Sequence, residues 1–147
     1  MKYLIKLLAI SSLLLSFNSF AKDPIYTGYF SSEAVSGYDT VAYFTQSKAV
    51  KGLKKFSYEY QGENWYFSNS KHLALFKQAP EKYAPQYGGY CAFAVAKNDT
   101  ASSDPTQWTI EDGKLYLNYN ADIKQQWLAD KLNFIQKADQ HWPNVLN

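Results

Sequence analysis

The chain of 147 residues is short of chemically distinctive side chains. It has one cysteine, Cys91, two histidines, His72 and His141, and a single methionine, Met1. It contains no arginine: all of its cations are lysines. With one cysteine there is no internal disulfide, so Cys91 is a buried inert thiol, a metal ligand or nucleophile, or one half of an intermolecular bridge. A chain without arginine lacks the usual bidentate tool for phosphate and carboxylate, which weighs against a nucleic-acid partner. No block of basic residues points to a membrane surface. A closed structural zinc site needs four protein ligands, and one thiolate with two imidazoles falls short of that before carboxylates are called in.

Long apolar runs are scarce as well. The longest, Leu7 to Phe17, follows Lys2 and Lys6 and leads to Ser19 and Ala21, small residues at the positions a signal peptidase reads. At roughly half of the ~20 residues that span a bilayer, it reads as the core of a cleavable export signal over residues 1–21 rather than an anchor. Export to a bacterial periplasm or beyond is expected, with residues 22–147 as one domain and no membrane insertion after cleavage. Losing the segment removes Met1, Lys2 and Lys6, leaving 13 lysines against 13 acidic residues. The working part is therefore neutral and free of methionine, which closes the thioether route to copper.

What the chain does have is aromatic rings, 18% of its residues. Phe56, Tyr58 and Tyr60 alternate with polar residues, Gln61-Gly62-Glu63 turns, and Trp65-Tyr66-Phe67 returns, the pattern of a β-hairpin. Ser68 or Asn69 is placed to cap a helix over 70–78, and Pro80 to Tyr83 starts a further short turn. A second hairpin runs through Trp108-Thr109-Ile110, turns at Asp112-Gly113 and returns as Leu115 to Tyr119. Asn120 caps one long helix over 121–140, in which Ile123, Trp127, Phe134, Ile135 and Ala138 share a face. Residues 22–36 read as an extended arm and 97–105 as a polar loop. The fold class is α+β: two antiparallel hairpins, each followed by a helix, with the long C-terminal helix packed on a small sheet.

The residues from Gly37 to Tyr90 resemble the YHS domain, and the whole exported part is similar to secreted bacterial proteins that carry it. The resemblance is carried by Gly37-Tyr38-Asp39-Thr40-Val41-Ala42-Tyr43-Phe44, Lys55 to Tyr60, Trp65-Tyr66-Phe67-Ser68, Pro80-Glu81-Lys82-Tyr83, Tyr87-Gly88-Gly89-Tyr90-Cys91-Ala92 and Asp112 to Tyr119. It implies metals, because related domains carry cysteines suited to soft ions. Here Ala42, Ser68 and His72 stand at the three cysteine positions of the pattern, so the family's usual metal set is missing from this chain.

Three functional readings follow. A copper or zinc ion held near Cys91 with His72 as a second ligand is the leading one, in a protein that binds without catalysing. The alternative is a small-molecule or protein-partner pocket without metal, lined by Tyr87, Tyr90, Tyr66 and Trp65, with Tyr58 and Tyr60 as further candidates. The third is a thiol-dependent enzyme, which requires His72 or His141 beside Cys91 and a lowered thiol pKa. Asp39 reads as the cap of a turn, and His141-Trp142-Pro143 as the anchor of the last helix.

Overall fold

The computed structural model describes residues 21–28 and 30–147, and the expected export signal lies outside the described residues up to Phe20. The fold is α+β, with six α-helices and two separate two-stranded antiparallel sheets among the described residues. After a tight turn at Ala34–Gly37 the order is α1 (Thr40–Gln46), β1 (Leu53–Tyr60), β2 (Glu63–Phe67), α2 (Ser70–Gln78) and α3 (Pro80–Tyr83). A second tight turn, Gln86–Gly89, leads into α4 (Ala92–Ala96), β3 (Asp104–Glu111), β4 (Lys114–Asn118), α5 (Ala121–Ala129) and α6 (Lys131–His141). No helix among the described residues is long and apolar enough to cross a membrane.

Both hairpins lie where the alternation of residues places them. Tyr58 faces Trp65 across the first, and Thr109 faces Tyr116 across the second. Their outer ends are longer than the alternation shows, because each contains an irregularity: Leu53 pairs with Phe67 before the register resumes at Ser57, and Asp104 with Asn118 before it resumes at Trp108. A bulge of this kind breaks the two-residue period on which the sequence reading relies.

The side chains pack as two clusters. One is centred on Trp65, Phe67 and Phe76 with Val41 and Tyr43 of α1, and Leu115 and Leu117 of β4 reach into it. Phe76 is its hub, with its ring centroid 4.9 Å from that of Phe67 and 5.0 Å from that of Trp65. The second gathers Tyr87, Tyr116, Trp127, Val95 and Ala138. Burying aromatic side chains of this size is the main favourable term for a domain that has no disulfide.

Two features depart from the sequence reading. The helix expected over 121–140 is broken at Asp130, whose φ of −148° and ψ of 45° lie outside the helical region. On the N-terminal side Trp127 packs on Tyr116 of the second hairpin, while on the C-terminal side Phe134 packs on Phe93 of α4 and His141 Nδ1 lies 2.9 Å from the Val95 carbonyl oxygen. The break lets α5 pack on the hairpin and α6 on α4, so the last helix covers a helix rather than the sheet. The second departure is the arm. Ile25 is buried in the first core cluster, and the Tyr26 amide donates to the Gly88 carbonyl at 2.9 Å.

Candidate functional site

Asp39 is the most heavily used polar side chain in the protein, and it is completely buried. As N-cap of α1 its Oδ1 accepts from the amides of Val41 and Ala42, two of the donors that a helix start leaves without partners. Its Oδ2 accepts from the amide of Ser68 at 2.8 Å and the hydroxyl of Ser68 at 2.6 Å. It also lies 2.6 Å from His72 Nδ1. Asn69 places His72 by capping α2, its side-chain oxygen accepting from the His72 amide at 2.9 Å. The other ring nitrogen, Nε2, is 3.3 Å from the hydroxyl of exposed Thr45.

The order Asp39–His72–Thr45 has the connectivity of a catalytic triad. Its third member, however, donates its hydroxyl proton to the Val41 carbonyl at 3.0 Å, one turn back on the same helix. None of the three clefts described below includes His72 or Thr45. The network's evident work is to tie the start of α1 to the end of β2 and the first turn of α2. Sequence reasoning read Asp39 as a cap and His72 as a candidate metal ligand, and did not pair them. The available signal was that a buried carboxylate needs a partner, but with the two 33 positions apart, nothing local selects His72.

Cys91 stands elsewhere, at the start of α4, buried, with its backbone bridged to Leu117. Its Sγ lies 3.7 Å from the side-chain oxygen of Asn118. Burial pushes the thiol pKa up, only partly offset by the backbone groups of Ala94, Tyr119 and Phe93. A thiol held protonated is a poor nucleophile and a poor ligand. None of the hydrogen-bond partners of Cys91 is shared with His72, and His141 is engaged with the Val95 carbonyl. Cys91 does border an apolar hollow of about 220 Å³ with Phe93, Ala94, Ala101, Tyr119 and Ile123.

The residues therefore do not fit a metal centre. Among the described residues no group of three or more His, Cys, Asp or Glu side chains is placed to hold an ion. The nearest approach to a donor set is the Asp39–His72 pair, which commits Nδ1 to the carboxylate and leaves only Nε2. A carboxylate behind an imidazole is a common support for a metal ligand, but a single nitrogen is not a site.

The four expected pocket residues separate in the same way. Trp65 and Tyr66 belong to the first hairpin: Trp65 is buried, with its indole N–H donating to the Tyr60 carbonyl at 2.9 Å, and half-buried Tyr66 packs over Gly37. Tyr87 and Tyr90 do border clefts. Tyr90 donates its hydroxyl to the Asp23 carbonyl and lines a hollow of about 290 Å³ under the arm. Tyr87 donates to Asp139 at 2.8 Å and lines the largest of the three clefts, about 620 Å³. Segments distant in the sequence meet there: Pro24 of the arm, Tyr60 and Gln61 at the first hairpin turn, Glu81 of α3, Lys114 at the second hairpin turn, and Asp139 with Trp142 at the C-terminus.

Residues 41–87 match the family model of the YHS domain. This stretch runs from α1 to the Gln86–Gly89 turn and holds the first hairpin, His72 and Tyr87, so the match covers this central segment and not the rest of the chain. Asp39, Cys91 and the second hairpin lie outside the matched residues. No curated protein and no solved structure matches the chain. The cleft of about 620 Å³ is thus made jointly by the YHS segment and the residues that flank it on both sides.

Proposed function

We propose that this protein is an exported, non-catalytic binding domain that holds a small molecule in the cleft between its YHS segment and its C-terminal helices. The observation that carries the reading is the cleft itself. Its volume of about 620 Å³ falls within the ~300–1,000 Å³ range of ligand sites. Its walls combine the rings of Tyr60, Tyr87 and Trp142 with a few polar and charged groups. A raised thiol pKa on buried Cys91 argues against the thiol-enzyme reading. Screening a library of small polar fragments by the fluorescence of the protein's tryptophans tests the proposal. Binders are expected to lose affinity on Trp142→Ala and to keep it on Cys91→Ala; binders indifferent to Trp142, or none at all, remove the cleft as the site.

The YHS match keeps a metal as the second reading, with copper or zinc at Cys91 and His72. The donor chemistry above runs against it, so titration with either ion is expected to leave the protein without a stoichiometric equivalent. Uptake of one equivalent, lost on Cys91→Ala, would restore it. The export reading rests on residues 1–21 and predicts an N-terminus at Lys22 in protein recovered from outside the cytoplasm; an intact Met1 there would refute it.

A further inference from the structure

We infer that the ligand of the large cleft is a short oligosaccharide, a neutral and hydroxyl-rich molecule rather than an ion or a lipid. The inference rests on the cleft being the binding site and takes its chemistry from what lines it. An anionic ligand is disfavoured: among the described residues that line the cleft, one cation, Lys114, stands against two carboxylates, Glu81 and Asp139, and the chain has no arginine to grip phosphate or carboxylate. A simple cation fares little better, because all three charged groups are exposed to water, which weakens single charge contacts. One oxygen of Asp139 is moreover already taken by the Tyr87 hydroxyl at 2.8 Å. An apolar ligand would make no use of those charges or of the amides of Gln61 and Gln86, and would forfeit the hydration of any group it covered.

What remains is a ligand that donates and accepts along its whole length without net charge. Sugar hydroxyls do both. The carboxylates of Glu81 and Asp139 accept from them, the Lys114 ammonium donates to them, and the two glutamine amides do either. The flatter C–H face of a pyranose ring is apolar and stacks on an aromatic ring. Half-buried Trp142 and Tyr60 leave such ring surface in the cleft on two separate segments of wall.

Trp142 is held as a fixed platform. Its ring centroid is 6.0 Å from that of Tyr87 and 6.2 Å from that of Tyr90, and both of those rings are buried. Tyr87 is itself held with φ at +56°, an uncommon conformation for a bulky side chain, and its hydroxyl is fixed by Asp139. Rings held in this way lose little freedom when a ligand arrives, which lowers the cost of binding.

The test is calorimetric titration of the purified protein with maltotriose, cellotriose and triacetylchitotriose, alongside inorganic phosphate and tetramethylammonium. At least one trisaccharide is expected to bind. Its affinity is expected to fall about tenfold or more on Trp142→Ala and to fall on Gln61→Ala. Gln61 is exposed in a turn, so its replacement by alanine removes no buried side chain. Binding of phosphate or tetramethylammonium that depends on Trp142, with no trisaccharide bound, would overturn the saccharide class and leave the cleft as the site. A trisaccharide bound with unchanged affinity by both variants would overturn the assignment to this cleft. No heat with any of the five probes would overturn the saccharide class outright, and the fragment screen then decides separately whether the cleft binds anything.

Discussion

The carboxylate of Asp39 shows how much one side chain carries here. It accepts hydrogen bonds from three backbone amides and the Ser68 hydroxyl, and it faces His72, all without contact with water. Removing it leaves those donors buried and unpaired, so Asp39→Ala is expected to cost about 3–5 kcal/mol, read as a lowered urea midpoint. Asp39→Asn keeps the shape but loses the charge, and should fall between that variant and the parent. A loss below about 1 kcal/mol for the alanine variant would show that water replaces the carboxylate in the folded state. Cys91 gives the opposite residue-scale expectation. Its burial and raised pKa predict alkylation at neutral pH at least about tenfold slower than for a free thiol, accelerating on unfolding.

At the scale of elements, the Tyr87-Gly88-Gly89-Tyr90 run is a seat for the N-terminal arm. A Cβ on Gly88 would lie 1.7 Å from the Pro24 carbonyl oxygen, and the backbone there has φ of +60°. Gly113, at the second hairpin turn, shares the positive φ of +70° but has nothing within 4 Å of a Cβ. Gly113→Ala should therefore cost about 1–2 kcal/mol from conformation alone. Gly88→Ala should cost more and release the arm as well, seen as faster hydrogen exchange at the Tyr26 amide. Equal losses in the two variants would mean that the arm contributes no packing of consequence. Paired glycines beside tyrosines permit a close backbone approach, but nothing local names what approaches, because Pro24 is 64 positions earlier in the chain. The break at Asp130 was hidden for a different reason. Aspartate is neither a helix terminator like glycine nor a breaker like proline, and Trp127 and Ala138, on either side of it, keep helical spacing.

For the whole molecule, the abundance of buried tyrosine sets the response to alkali. Burial raises the pKa of Tyr43 and Tyr87 well above the ordinary tyrosine value, with neighbouring negative charge adding to it, and pushes Tyr116 up to about 12. In each case the folded state holds its proton more tightly than the unfolded chain. The stability this contributes is complete below the unfolded value of about 10 and is lost as pH rises above it. Urea midpoints should stay level up to about pH 9 and fall steeply by about pH 11. A level midpoint across that interval would mean that these hydroxyls ionise freely in the fold.

By itself the sequence determined the α+β class, the two hairpins, a cap at Ser68 or Asn69 and another at Asn120, and the YHS resemblance of the central segment. It did so because alternation, turn residues and caps act between neighbours a few positions apart. It also set the chemical inventory: one thiol, two imidazoles, no arginine and many aromatic rings. Only the tertiary structure decided how that inventory is arranged. His72 went to Asp39, Cys91 to Asn118, Trp65 to the core, and Tyr87 and Trp142 to one cleft. Those assignments depend on which buried polar groups find partners and which rings fill space between distant segments, and no local pattern in the chain records either.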